Sequence, residues 1–310
     1  MIKVQDIIYV AHRVPDLDRM EAFLTDFGMV KSERRGDRLF MRGAGPRPFI
    51  HMTEKGEPGF VACGFAASSM ADLEKIAGKN GASGIEDIDG PGGGKRVRLK
   101  GPDGFRVDVC YGMGTVPELP LREPLRLNYA RTKNRQGDLQ RPAKEPARIN
   151  KIGHCVWKVS DADKAIAWFR ENLGMLVSDR LYLPDNEKQT LGTFLRLDRG
   201  AAWADHHTIL CLHSPDEIKV HHCSFEVQDY DAVHIGGQWM QEKGWNREWG
   251  IGRHLLGSQV FDYWRDPWGH MFEHYADGDL LTASSKPGNY PALPENLAQW
   301  GPPVTPTFFS

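Results

Sequence analysis

The 310-residue sequence has no run of eighteen apolar residues, so it offers no candidate membrane span. Its first stretch, MIKVQDIIYVAHRV, has no apolar segment followed by a small-residue cleavage site, and it does not read as a secretory signal. Charge of one sign is missing too. The net charge of −2 gives no electrostatic case for nucleic acid or an anionic membrane as partner. The five cysteines are odd in number and form no CxxC pair, which excludes a cysteine zinc site and a disulfide frame. Reduced thiols, and hence a cytoplasmic protein, are expected. GPGGGK at residues 90–95 lacks the strand-to-helix context and the Ser/Thr of a phosphate loop, so no nucleotide cofactor is expected. Histidine is scarce before residue 150, where only His12 and His51 occur. The other ten lie beyond it, so a histidine-based site belongs in the second half.

What is present is ordinary globular composition, 40% hydrophobic and 26% charged, in a chain long enough for roughly two domains. The clearest local pattern is a hairpin: QVFDYW as a strand, Asp266-Pro267-Trp268-Gly269 as a turn, and HMFEHYA as the return strand. Alternation puts Met271, Glu273 and Tyr275 on one face and Phe272 and His274 on the other. Glu273 is thus a carboxylate in an apolar strand, which must be paired, hydrogen-bonded or bound to a metal.

The sequence repeats itself. Residues 4–30, 59–81, 150–177 and 220–244 each read as a strand, a capped turn and an amphipathic helix. Ser69 with Asp72 and Ser160 with Asp163 look like capping boxes. Each unit is followed by about 25 to 40 residues of strand and turn. The organisation predicted is α+β: four βαβββ modules paired into two domains, 1–112 and 149–279. Residues 113–148, proline-rich and basic, read as a solvated linker. Residues 280–310 read as a tail packed over the surface without a sheet of its own.

On this frame His154 lies in the first strand of the third module, His222 in the first strand of the fourth, and Glu273 in its last. Two histidines and a carboxylate from three strands form the facial set of non-haem Fe(II) oxygenases. Alone, each histidine could equally be a satisfied core residue. The repeat is an internal control. Aligning GPDG with DPWG sets Glu273 opposite Asp108. Aligning CGF with CSF sets His222 opposite Ala62, while His154 falls opposite Tyr9 or Ile8. The first domain keeps the pattern without the imidazoles, so it is expected to hold no catalytic metal.

The motifs IGHCVW, DHHTI, HHCSFEV, GRHLLG and DYWRDPWGHMFEHY together resemble the type I extradiol ring-cleaving dioxygenases of the vicinal oxygen chelate superfamily. The resemblance spans nearly the whole chain. It implies two open-barrel domains, only the second bearing metal, and Fe(II), with Mn(II) as an alternative, held by His154, His222 and Glu273. It implies that His207 faces bound dioxygen and that His254 and Tyr263 contact the catechol hydroxyls. Catecholic substrate and O2 are the expected partners, in a homo-oligomeric enzyme of aromatic-compound breakdown. Gly257 departs from the family, standing where biphenyl-type members often have an acidic residue near the active-site histidine; the partner that orients His254 is not visible in the sequence.

Bland readings accompany these. Only one of His221 and His222 is expected to face the cavity from a strand, and His222 is preferred; His206 and His207 pose the same choice. His274 reads as a surface or packing residue, Tyr263 could be an ordinary strand aromatic, and Cys155 and Cys223 read as small buried hydrophobes. Two other functions fit the same fold: a glyoxalase- or epimerase-like metal enzyme, normally with four protein ligands, and an aromatic-binding protein that needs no metal.

Overall fold

The computed structural model describes residues 1–310. The first module is β1 (Asp6–Val14), α1 (Leu17–Asp26), β2 (Val30–Arg35), β3 (Arg38–Arg42) and β4 (His51–Lys55). The second is β5 (Gly59–Ala66), α2 (Met70–Ala77), the two-residue β6 (Glu86–Asp87), β7 (Lys95–Lys100) and β8 (Arg106–Tyr111). The third is β9 (Ile149–Val159), α3 (Ala162–Leu173), β10 (Leu176–Leu183), β11 (Asn186–Arg196), the short β12 (Ala204–Asp205) and β13 (Ile209–His213). The fourth is β14 (Lys219–Val227), α4 (Tyr230–Glu242), β15 (Asn246–His254), β16 (Val260–Arg265) and β17 (Met271–Ala276). Modules pair through their first strands. One sheet runs β2-β3-β4-β1-β5-β8-β7-β6; the other has β10-β11-β13-β9-β14-β17-β16-β15 as its centre. This is the α+β, four-module arrangement that the repeats predict. No helix is long and apolar enough to cross a membrane.

Local chemistry explains the recurring units. The Gly-Met that closes two of the helices needs glycine: Gly174 caps α3 at φ 71°, and at Gly28 an added Cβ would lie 1.7 Å from the Ala147 carbonyl oxygen. Ser69 caps α2 by accepting from the Asp72 amide, as predicted. The other capping box is wrong. Asp161 caps α3, Ser160 instead binds the Asp103 carboxylate, and Asp163 accepts from Thr190. An Asp beside a Ser is an equally good cap, and tertiary contacts drew Ser160 away.

The tail forms no sheet of its own, as expected, but it lends strands to others. Its strand β18 (Leu280–Leu281) pairs with β12. Strand β19 (Gly288–Pro291) adds to β10, and β20 (Ala298–Trp300) adds to β15, so the tail covers both edges of the second sheet.

The face of the second sheet away from the catalytic candidates is closed by the first half of the chain. Phe23 of α1 and Phe27, which caps its C-terminus, pack on Phe272. His274, fully buried, stacks on Phe27 and donates from Nε2 to its carbonyl at 2.7 Å. The packing option for His274 is thus the right one, and burial holds it neutral, with its pKa pushed down to about 4. Trp239 and Trp245 both donate to Asp26. With Phe272 and His274 fixed there, Glu273 must point to the opposite face.

Strand register tests the repeat alignment. Ser224 pairs with His154 and with Glu273; Gly64 pairs with Tyr9 and with Asp108. Tyr9, not Ile8, is therefore the counterpart of His154. Asp108 is fully buried. It accepts from the Tyr9 hydroxyl at 2.6 Å and from Arg106 at 2.7 and 2.8 Å. A guanidinium here neutralises the buried carboxylate. Asp108→Ala should therefore leave metal content unchanged and lower stability by about 3 kcal/mol, the low end for a broken buried pair because Arg106 stays partly solvated. Urea unfolding and metal analysis check both; loss of bound metal in this variant would contradict the assignment.

Candidate metal centre and active site

Three adjacent strands bring the predicted ligands together. β9 carries His154, β14 carries His222 and β17 carries Glu273, and their donor atoms lie within 4.8 Å of one another. His154 Nε2 is 3.1 Å from Glu273 Oε2, and His222 Nε2 is 3.5 Å from it. Ser224, between them in register, donates its hydroxyl to Glu273 Oε2. Burial alone would push the Glu273 carboxyl up. The His154 imidazole beside it, with His222 adding to the effect, holds it well below the usual carboxylate range instead. Burial, with His221 next to it, pushes His222 well below its ordinary value, so the ring is neutral and can lend a lone pair.

These residues fit a divalent metal. Glu273 is fully buried, and its Oε1 has no hydrogen-bond partner. An ionised oxygen left bare in a buried site is costly unless a cation shares it. Two imidazoles and one carboxylate, with no fourth protein donor in the cluster, would leave open positions on a metal, unlike a closed structural zinc site.

The remaining candidates surround this cluster. His254 Nε2 is 2.8 Å from the Tyr263 hydroxyl and 3.7 Å from Glu273 Oε1. Its Nδ1 donates to the Leu297 carbonyl at 2.9 Å, so in the neutral ring Nε2 accepts from Tyr263. The tail carbonyl thus takes the orienting role that Gly257 cannot. Gly257 itself sits at φ +84°, and a Cβ there would meet the Gln259 side chain at 2.4 Å. Burial, then Glu273, pushes the Tyr263 phenol well above its ordinary value, which keeps it a donor.

His207 is buried, with its ring 4.0 Å from that of His154. It does not stand alone. His206 Nε2 donates to Asp179 Oδ2 at 2.8 Å, and the two Nδ1 atoms of His206 and His207 are 3.0 Å apart. Asp179 in turn accepts from the Gly288 amide at the start of β19. Burial pushes His207 well below its ordinary value, with His154 and His206 adding to the shift. Its Nδ1 is occupied by His206, so Nε2 is its free nitrogen.

Of His206 and His207 only His207 lines the cavity, as expected, but the expectation that one of His221 and His222 turns away is wrong. A register shift between Val220 and His222 breaks the alternation of β14, and His221 and His222 lie side by side. Both line the same cavity. Sequence reasoning missed Asp179, Ser224 and the tail carbonyls of Leu297 and Phe308. The doubled histidines were a visible signal; their partners were not.

The cavity over the cluster is walled by Val156, Leu181, Phe194, Leu210, Leu212, Trp249, Leu256, Leu297, Phe308 and Phe309, with Gln259 and Asn296 at its edge. No Lys, Arg, Asp or Glu lines it. The lining is mostly apolar and rich in aromatic side chains, and it suits an aromatic ring.

Comparison with known proteins agrees with this geometry. Residues 151–274 match the family model described as Glyoxalase/Bleomycin resistance protein/Dioxygenase superfamily. The chain is 30% identical to metapyrocatechase 2 of Cupriavidus necator over 309 residues, covering 99% of this chain and 91% of that one. It is 24% identical to the manganese-dependent 2,3-dihydroxybiphenyl 1,2-dioxygenase of Geobacillus genomosp. 3, covering 96% and 94%. It shares the fold of the Mn(II)-bound glyoxalase from Novosphingobium aromaticivorans, with a TM-score of 0.81, 23% identity, and 100% and 95% coverage. The full-length match to a catechol-cleaving relative, on a fold that gathers two histidines and a glutamate under an aromatic-lined cavity, places the chain in the extradiol ring-cleaving dioxygenases of this superfamily.

Proposed function

We propose that the chain opens the ring of a catechol whose further substituent is uncharged and apolar, using Fe(II) held by His154, His222 and Glu273. The observation that carries this reading is the buried Glu273 carboxylate, one oxygen beside the His154 and His222 nitrogens and the other bare, next to a cavity whose lining has no Lys, Arg, Asp or Glu. A carboxylate on the substrate would be desolvated there without a partner. Methyl, alkyl or aryl substituents would instead gain burial, about 0.8 kcal/mol per methylene.

His154, His222 and Glu273 would hold the metal, which would supply Lewis acidity toward the catechol oxygens and a route for electron density from the ring to oxygen. The chain's own groups do the rest. His254 Nε2, fixed by Leu297, can take a proton from a catechol hydroxyl. Tyr263, whose one hydroxyl hydrogen goes to His254 Nε2 in the free protein, can turn it toward the substrate oxygen and so free Nε2 for the catechol proton. His207 Nε2, bare in the neutral ring, can take up the second catechol proton and then donate to negative charge growing on oxygen, and Asp179 behind His206 offsets the positive charge this creates. Phe194 and Trp249 form part of the wall that keeps water from the ring.

Mn(II) suits the same donors, so the test loads each metal separately under nitrogen, then adds a catechol panel and air. The expected result is one metal per chain, a yellow ring-fission product from catechol and 3-methylcatechol, and kcat/KM at least 100-fold lower for a carboxylated catechol. A glyoxalase-like activity on a thiol adduct with no oxygen uptake would replace this reading; tight catechol binding without metal or turnover would favour an aromatic-binding protein.

A further inference from the structure

Two consecutive histidines in a strand normally face opposite ways, and here they do not. The irregular register between Val220 and His222 sets the two rings edge to face, with the Nδ1 atoms 2.7 Å apart. The direction of that hydrogen bond follows from its ends. His221 Nε2 is 2.6 Å from the Phe308 carbonyl oxygen, which can only accept, so Nε2 of His221 carries a hydrogen. At the other end, a metal on His222 Nε2 requires that nitrogen to be bare, so the neutral ring carries its hydrogen on Nδ1. The 2.7 Å contact is then His222 Nδ1–H donating to His221 Nδ1.

Phe308 is itself held from several sides. Its ring packs on Trp249, Tyr263 and His221, and only 4% of it is exposed. Thr305 and Thr307 donate to the buried Glu248, and Arg265 donates to the Thr307 carbonyl at 2.8 Å. Lys158 donates to the Phe309 carbonyl at 2.7 Å. The tail is thus anchored independently of His221.

We propose that His221 is a positioning residue for the metal ligand His222, and that the segment Thr305–Phe309 sets the metal affinity through it. The proposal rests on His222 being a ligand. His221 Nδ1 accepts from His222, which fixes the ring's tautomer and rotation and raises the electron density on Nε2. The Phe308 carbonyl holds His221 in the one tautomer that can accept. Partners of this kind commonly account for 10- to 100-fold in metal affinity.

The test uses four variants of the full chain and one deletion, titrated with Mn(II) alone under nitrogen, free Mn(II) being read by electron paramagnetic resonance. His222→Ala should abolish binding; if it does not, the ligand assignment fails and the proposal falls with it, a result distinct from those below. His221→Phe, which keeps bulk and loses both hydrogen bonds, should weaken binding about 10- to 100-fold. His221→Asn places an acceptor where Nδ1 was and should recover affinity to within about threefold. His221→Gln reaches toward the Phe308 carbonyl but leaves no acceptor for His222, and it should behave like the phenylalanine variant; it also serves should that variant not fold. Deleting residues 308–310 should weaken Mn(II) binding in the same direction. A purely structural role would lower the melting temperature and leave these affinities equal. Mn(II) affinity in His221→Phe or His221→Gln within threefold of the parent, or equal effects of asparagine and glutamine, would overturn the proposal.

Discussion

Glu273→Ala is expected to strip the protein of its metal and with it all measurable turnover, while the metal-free chain stays folded. The reasoning is energetic. In the metal-free protein Glu273 is a fully buried carboxylate with one oxygen unpartnered, so removing it relieves a cost as well as losing contacts with His154 and Ser224. The melting temperature without metal should change little. What disappears is the response to metal. A ligand present at 100 times its Kd stabilises the folded state by about 2.7 kcal/mol, and that increment should be absent in the variant. Losing a direct ligand should exceed the 10- to 100-fold effect of losing an outer partner, so affinity should drop by well over about 100-fold. Thermal unfolding with and without Fe(II) measures both quantities. A normal metal-dependent shift in Glu273→Ala would mean that the carboxylate is not a ligand.

His207→Ala is expected to show the opposite pattern, with metal and catechol bound as before and the reaction with oxygen slowed about 10²- to 10³-fold. His207 lies beside His154, yet its Nδ1 is taken by His206 and its Nε2 is free. A group that meets charge only as it develops lowers the barrier without changing ground-state affinity. Rapid mixing of the anaerobic catechol complex with oxygen isolates that step. Activity that falls in proportion to metal content would make His207 a ligand or a structural residue.

Much of this was legible because alternation carries it. The hairpin around Asp266–Gly269 fixed which face Glu273 takes, and the observed packing of Phe272 and His274 on Phe27 repeats that division. The repeat alignment survived because strand register conserves spacing: Ser224 and Gly64 occupy the same place in their sheets. What failed depends on backbone groups, which leave no trace in residue identity. The Leu297 carbonyl that orients His254 and the Phe308 carbonyl that orients His221 come from a segment whose prolines and glycines read as irregular. Edge strands β19 and β20 pair through main-chain bonds that such a composition hides. The shift at Val220 could not be read either, since a bulge changes which face a residue takes without changing its type.

The central claim is that both atoms of O2 enter a ring opened beside the diol. The direct measurement is mass spectrometry of the product from metal-loaded protein, 3-methylcatechol and ¹⁸O2 in unlabelled water. One O2 should be consumed per ring opened, and the fresh product should carry two ¹⁸O atoms before carbonyl exchange. A quinone, a singly labelled product under those conditions, or no oxygen uptake by protein carrying one metal per chain would contradict it.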